Sequence, residues 1–118
     1  MIRLDSTTRK LQAVLAGAVA TNQPTVTLSF SLDNLRSAPV SYFTATSSTT
    51  AVDICPAPAN VGIVQNIDSI QIQNTDTAAV TVTVRYNDNG TLYPIIKRTL
   101  AAGNSLNYSD ANGWDIGP

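Results

Sequence analysis

The sequence contains no histidine and no glutamate, and it has a single cysteine, Cys55. Without histidine, the common Ser-His-Asp and Cys-His nucleophile systems are excluded, as are the zinc sites that use histidine. One cysteine can form neither an internal disulfide nor a cysteine cluster. Because no base or cation accompanies it in VDICPAPAN, we predict that Cys55 is a small buried side chain. We predict no catalytic, cofactor-binding or metal-binding residues and no cofactor.

Charge is also scarce, at 13% of the residues with a net charge of -1. There is no basic patch for nucleic acid and no polybasic segment for anionic lipid. No stretch approaches the roughly 20 apolar residues of a membrane span. The segment LQAVLAGAVA has some features of a signal-peptide core, but Gln12 interrupts it and Asp5 precedes it. We therefore expect no secretion, no nucleic-acid partner and no membrane partner.

Aspartate is the one acidic residue type present, and paired aspartates can in principle catalyse hydrolysis. The aspartates are scattered along the chain, mostly in or beside turns, where their side chains bond to the local backbone. The NDNG segment at 87–90 is similar to part of a calcium loop, but that loop requires a glutamate. We interpret the aspartates as turn residues and keep an Asp-pair hydrolase as an alternative. The residues concerned are Asp53, Asp68, Asp76, Asp88, Asp110 and Asp115.

What the sequence does contain is a period-two alternation of apolar and polar residues. Residues 25–32 read TVTLSFSL and residues 79–86 read AVTVTVRY, each typical of a strand with one buried face. NDNG between two such strands predicts a tight hairpin turn. Short strands at spacings of about ten residues predict an all-β, single-domain antiparallel β-sandwich or jelly-roll-like barrel with an N-terminal strand or arm.

The domain, residues 1–118, divides into an N-terminal arm or strand region (1–35), a loop-rich connection (36–61) and a regular antiparallel unit (62–118). In the first part, residues 11–18 fit either a helical stripe or a strand that turns at Gly17, and we favour the strand because its surroundings are β. In the connection, VSYFTAT and TAVDI can each pair as a strand.

The regular unit supplies most of the predicted core. Pro94 marks an edge strand or a bulge, because proline cannot donate a hydrogen bond to a ladder. Tyr42 and Phe43 are adjacent, so on a strand they point to opposite faces, and with Tyr93 they form a candidate exposed binding surface. The predicted core residues are Ile70, Ile72, Val80, Val82, Val84, Ile95, Leu106 and Trp114.

Two segments are similar to a known group. Residues 4–23, LDSTTRKLQAVLAGAVATNQ, resemble the opening of small virion structural β-proteins of tailed bacteriophages, and residues 70–116 resemble their closing β-unit. The resemblance covers a little over half of the chain. The N-x-D-T-A turn of the group is matched by Asn74 to Ala78, and its T-V-T-V strand by Thr81 to Val84. The patterned ending of the group is matched by Leu100, Gly103, Leu106, Tyr108, Asp110, Gly113 and Trp114.

The resemblance implies a non-enzymatic protein of the virion, assembled in the cytoplasm of the bacterial host. We expect a head decoration or cementing protein that bridges subunits of the major capsid protein. The alternative is a collar, tail or fibre component that binds host-surface glycan or another virion protein. A neutral, Thr-rich β surface suits assembly by complementarity, and we expect a homo-oligomer, for which a trimer would match a capsid three-fold site.

No small-molecule substrate is expected. For the assembly contacts we predict the apolar positions of the N-terminal region, which could add to the sheet of a neighbour. These positions are Leu11, Val14, Leu15, Val26, Leu28, Phe30 and Leu32.

Overall fold

The computed structural model describes residues 2–32 and 40–118. These residues form two antiparallel sheets that pack as a sandwich, and they contain no helix. The predicted all-β, single-domain fold is confirmed, and the sandwich is the architecture observed. No described segment is a helix long and apolar enough to cross a membrane. The strands are β1 (Ile2–Leu4), β2 (Arg9–Leu15), β3 (Thr25–Leu32), β4 (Val40–Ala45), β5 (Val52–Cys55), β6 (Gln65–Gln73), β7 (Val80–Asp88), β8 (Thr91–Leu100), β9 (Ser105–Ser109) and β10 (Gly113–Gly117).

The pairing of the strands defines the two layers. The first sheet has the order β10-β9-β6-β3-β4, and β1 lies beside the first part of β6. Because β9 lies beside the second part of β6, β1 and β9 share one flank of that strand. The second sheet has the order β5-β2-β7-β8. β4 approaches β5 at one side of the sandwich, and β8 approaches β9 at the other.

The core lies between the sheets, where the alternating apolar side chains of both layers meet. Trp114 is half-buried, and its ring is tilted against that of Tyr108 with the ring centroids 4.9 Å apart. Trp114 thus covers the edge of the core rather than filling its centre. The predicted core residues that are buried are Ile70, Ile72, Val80, Val82, Val84 and Leu106.

The core position on β8 is Ile96, whereas the sequence analysis placed Ile95 there. Val84 pairs with Ile96 and Arg85 pairs with Pro94, so Ile95 is the extra residue of a β-bulge. A bulge shifts the alternation by one residue, which leaves Ile95 half-buried and buries Ile96. Pro94 therefore lies next to a bulge, and it does so on an edge strand, as predicted.

The N-terminal residues belong to the sandwich itself. The ambiguous segment at 11–18 begins as a strand: β2 lies between β5 and β7, with Leu11, Ala13 and Leu15 buried. β1 buries Ile2 and Leu4 against the same core. The strand interpretation is confirmed, because every second side chain of β2 has a place in the core, which a helix would not provide.

The predicted connection 36–61 contains the two strands expected from VSYFTAT and TAVDI, namely β4 and β5. The predicted boundary between residues 35 and 36 lies outside the described residues. Cys55, at the end of β5, is fully buried as predicted, and its thiol donates a hydrogen bond to Gln65 Oε1 at 3.2 Å. Burial raises the pKa of this thiol to about 12, so it is protonated and unreactive at neutral pH.

The hairpin between β7 and β8 turns at two residues with positive φ, Asn89 at 51° and Gly90 at 95°. Two consecutive positive φ values are the mark of the primed turn that NDNG predicts. Asn87 Oδ1 accepts a hydrogen bond from the Gly90 N–H at 2.8 Å. The turn fixes the register of the hairpin, since Asp88 must then pair with Thr91.

Asn74 links the ends of three strands. It is fully buried, and its side-chain amide donates to the carbonyl oxygens of Ala78 and Leu100, both at 3.0 Å, and of Ala101 at 3.2 Å. Its Oδ1 accepts the Asp76 N–H at 3.0 Å. Asn74 thus binds backbone groups at both the β6–β7 and the β8–β9 connections, and its hydrogen bonds to the Leu100 carbonyl and from the Asp76 N–H are buried.

Asp76 extends this link to the connection between β2 and β3. Its carboxylate accepts the N–H groups of Ala20 and Thr21 at 2.8 Å, of Asn22 at 3.1 Å and of Thr77 at 2.9 Å. These hydrogen bonds, with that from Ala20 the largest contribution, hold the pKa of Asp76 well below its usual range. The charged carboxylate thus takes the role of a local anion bound by backbone amides.

We predict that Asn74→Ala lowers the free energy of unfolding by about 1–3 kcal/mol, because the buried Leu100 carbonyl loses its Asn74 donor and the Asp76 N–H loses its acceptor. Urea denaturation monitored by Trp114 fluorescence measures this change. Asn112→Ala, in an exposed turn, is the matched control and should leave stability within about 0.5 kcal/mol. Equal stability of the two variants would contradict the role given to Asn74.

We predict that Asp76 makes the stability pH-dependent in acid. The pKa of Asp76 is lower in the folded protein than the ordinary aspartate value of 3.8. Its contribution to the free energy of unfolding is therefore fully present above pH 3.8 and is lost as the pH falls through the pKa of the folded state. Asp76→Asn should melt at a lower temperature than the wild type at pH 7, and the difference should shrink on acidification. Thermal melts from pH 7 into the acid range measure this difference in melting temperature. Asp115→Asn, at an exposed position, is the control. A constant difference at every pH would contradict the prediction.

Candidate functional site

An open cleft of about 500 Å³ lies at one end of the sandwich, between β1 and the β7–β8 hairpin. We call it the end cleft. Its volume is within the range of about 300–1,000 Å³ that is usual for small-molecule sites. The residues that line it are Arg3, Asp5, Arg9, Tyr86, Asp88 and Tyr93.

Strand register brings these distant residues together. Tyr86 and Tyr93 are cross-strand partners in the β7–β8 hairpin, and Arg9 of β2 is the partner of Asp88 on β7. Tyr86 packs against the core, and its hydroxyl accepts the Arg3 N–H at 3.4 Å. Tyr93, further out, is 53% exposed. The cleft therefore has one aromatic ring anchored in the protein and one open to solvent.

The charged residues of the end cleft form a connected group. Arg9 is paired with Asp5, and its second guanidinium nitrogen lies 2.8 Å from Asp88 Oδ2. Thr8 donates its hydroxyl to Asp88 Oδ1 at 2.6 Å. The hydrogen bond from Thr8, and then that from Arg9, lowers the pKa of Asp88, while the bond to Asp88 raises the pKa of Arg9. The arrangement favours the charged form of both side chains.

This geometry is suited to binding rather than to acid–base catalysis. A carboxylate pair that hydrolyses a glycoside needs one member that keeps its proton near neutral pH. Asp5 and Asp88 both line the cleft, but Arg9 lies between them and Asp88 has a lowered pKa. Across residues 2–32 and 40–118, no group of three or more His, Cys, Asp or Glu side chains could hold a metal ion.

A second candidate surface is the free side of β4, which we call the β4 edge. Within the described residues β4 pairs with β3 alone, and no described strand is hydrogen-bonded to its other side, where β5 of the facing sheet approaches it. Phe43 is 71% exposed and Val40 is 45% exposed. Tyr42 packs against the core, which confirms that the adjacent aromatics point to opposite faces.

The structure places the residues predicted for assembly mainly inside the protein. Leu11, Leu15, Val26 and Leu28 are buried in the core of the monomer, so in this fold their side chains are not available to a partner. The reason is that both faces of the sandwich interior come from this chain, including β2 and β3. The remaining three, Val14, Phe30 and Leu32, are half-buried.

The candidate binding aromatics Tyr42, Phe43 and Tyr93 do not form one surface, since Tyr42 is turned inward and Tyr93 lines the end cleft. The charged part of that cleft is not among the residues predicted from the sequence. The hairpin turn at 89–90 could have indicated that Tyr86 faces Tyr93. No sequence signal pairs Arg9 with Asp88, because that contact depends on β2 lying next to β7.

No protein-family model, no curated protein and no solved structure matches this chain. The resemblance to phage virion proteins therefore rests on the residues quoted above.

We predict that Thr8→Val and Arg9→Gln each raise the pKa of Asp88, because each removes a hydrogen bond to its charged form. Arg9→Gln also removes the attraction between the Arg9 charge and the carboxylate. Carboxyl-detected NMR titration of Asp88 measures both. Lys10→Gln, which breaks the pair of Lys10 with Asp53 outside the end cleft, is the control. An unchanged Asp88 pKa in both cleft variants would show that the network is not formed in solution.

Proposed function

We propose that this protein is a non-enzymatic structural subunit of a tailed-phage virion, and that it decorates the head by bridging copies of the major capsid protein. The resemblance of residues 4–23 and 70–116 supports the virion assignment. The observation that carries the assembly role is the β4 edge, which is both unpaired within the described residues and apolar.

Edge strands normally carry features that prevent other chains from pairing with them. β8 has such features: Pro94 with its neighbouring bulge, and the charged residues Lys97 and Arg98. β4, with the sequence VSYFTA, has neither proline nor charge. β4 thus lacks the protecting features that β8 carries, which supports its proposed role in pairing with a partner.

The side chains of the β4 edge support the same role. Phe43 is 71% exposed on a strand of six residues. Covering an aromatic side chain of this size stabilises a contact by about 1.5–3 kcal/mol, in addition to the backbone hydrogen bonds of an added strand. We propose that a neighbouring virion subunit supplies the strand and a pocket for Phe43.

The proposal includes a homo-oligomer, and a trimer would place equivalent β4 edges around a capsid three-fold axis. The first test is cosedimentation of the purified protein with expanded heads that lack it, together with its mass free in solution. Saturation at a fixed ratio to the capsid protein is the expected result. Failure to bind heads, with binding to tails or fibres instead, would overturn the head assignment.

We predict that Phe43→Lys lowers the affinity for heads by at least about tenfold, because it places a charge at the centre of the proposed contact. Leu92→Lys is the matched control, since Leu92 is another exposed apolar side chain on a different strand. It should bind heads like the wild type. Quantitative cosedimentation measures both. Equal binding by the two variants would contradict the role of the β4 edge.

A further inference from the structure

We propose that the end cleft binds an uncharged saccharide. The proposal concerns a surface on the β7–β8 hairpin and β1, separate from the β4 edge. It does not depend on attachment to the head. Three properties of the cleft lead to it: its aromatic wall, its fixed polar groups and its balance of charge.

The aromatic wall is formed by Tyr86 and Tyr93. They are partners across the hairpin, so both rings are on the same side of the sheet. Sugar rings have one face made largely of C–H groups, which packs on an aromatic ring, while the phenol hydroxyl remains available for hydrogen bonding. Tyr93 is 53% exposed, as a platform for a ligand requires.

The polar groups of the end cleft are held in place before any ligand arrives. Arg9 is fixed between Asp5 and Asp88, and Asp88 is held further by Thr8. Asp5 Oδ1 accepts from Arg9, and no hydrogen bond from a described residue reaches its second carboxylate oxygen. Fixed acceptors and donors of this kind suit sugar hydroxyls, which both donate and accept, and prior fixation reduces the entropic cost of binding.

The balance of charge selects the ligand class. Arg9 is paired with both Asp5 and Asp88, so these three charged side chains already satisfy one another. An anionic sugar would lie against the two carboxylates, and a cation would lie against the Arg9 guanidinium. An uncharged polyhydroxyl ligand meets neither penalty and can use both kinds of group.

The openness of the cleft predicts weak binding by a single copy. Half of Tyr93 remains in contact with solvent, so the site can cover one side of a sugar but cannot enclose it. We expect dissociation constants of about 1 mM for monosaccharides. Several copies on one particle would raise the effective affinity for a glycan-coated surface through multivalency.

The test is an NMR titration of the isotope-labelled protein with glucose, galactose, mannose and N-acetylglucosamine, and in parallel with glucuronate and N-acetylneuraminate. We expect at least one neutral sugar to shift the amide signals of residues around the end cleft in a saturable way, with the anionic sugars binding more weakly. No saturable shift with any neutral sugar, or tighter binding of the anionic ones, would overturn the proposal.

Variants locate the binding. Tyr93→Ala should weaken the best sugar by at least about tenfold, whereas Tyr93→Phe, which keeps the ring, should stay within about threefold of the wild type. Phe43→Lys is the control for an exposed aromatic outside the cleft and should bind the sugar normally. Because Tyr93 is largely exposed, Tyr93→Ala should fold. Unchanged affinity in that variant would place the sugar elsewhere and overturn the assignment.

The same variants separate this proposal from the proposed function. Tyr93→Ala should still bind phage heads, and Phe43→Lys should still bind the sugar. Loss of both activities in either folded variant would mean that one surface serves both partners, which would overturn the separation of the end cleft from the β4 edge.

Discussion

The position of one sheet on the other depends on the hydrogen bonds made by Asn74 and Asp76. The chain crosses between the sheets at six connections between described strands, and three of them, β2–β3, β6–β7 and β8–β9, meet at residues 74–77. Hydrophobic burial brings the two layers together but has no direction. The directional bonds from these two side chains fix where the crossings lie, and therefore how the two apolar faces align.

The opposite end of the sandwich has a different character. There the β7–β8 hairpin and β1 stand on either side of the end cleft: the Arg3 N–H donates to the Tyr86 hydroxyl, and Arg9 of β2 pairs with Asp88. At one end, buried side chains thus bind the N–H and C=O groups of several connections, and the other end is an open arrangement of aromatic and charged groups.

The sequence predicted what depends on local pattern. The period-two alternation located the strands, NDNG located the hairpin turn, and Pro94 indicated the bulge. The bulge itself moved the core position from Ile95 to Ile96, because alternation alone does not say which residue is inserted. What depends on strand order could not be predicted: Arg9 meets Asp88 across 79 positions, and the burial of Leu11 and Leu28 in the monomer follows only once β2 and β3 are assigned to facing layers.

The edge strands of the sandwich differ in how readily they could pair with a neighbouring chain. β8 carries Pro94, Lys97 and Arg98, and the five-residue β10 carries Asp115, whereas β4 has neither proline nor charge. An added strand at β8 would meet a proline and two charges, which disfavours pairing there. Under the proposed assembly role, extension of the first sheet at β4 would therefore not continue through β8, and growth into a filament by strand pairing at both edges is disfavoured.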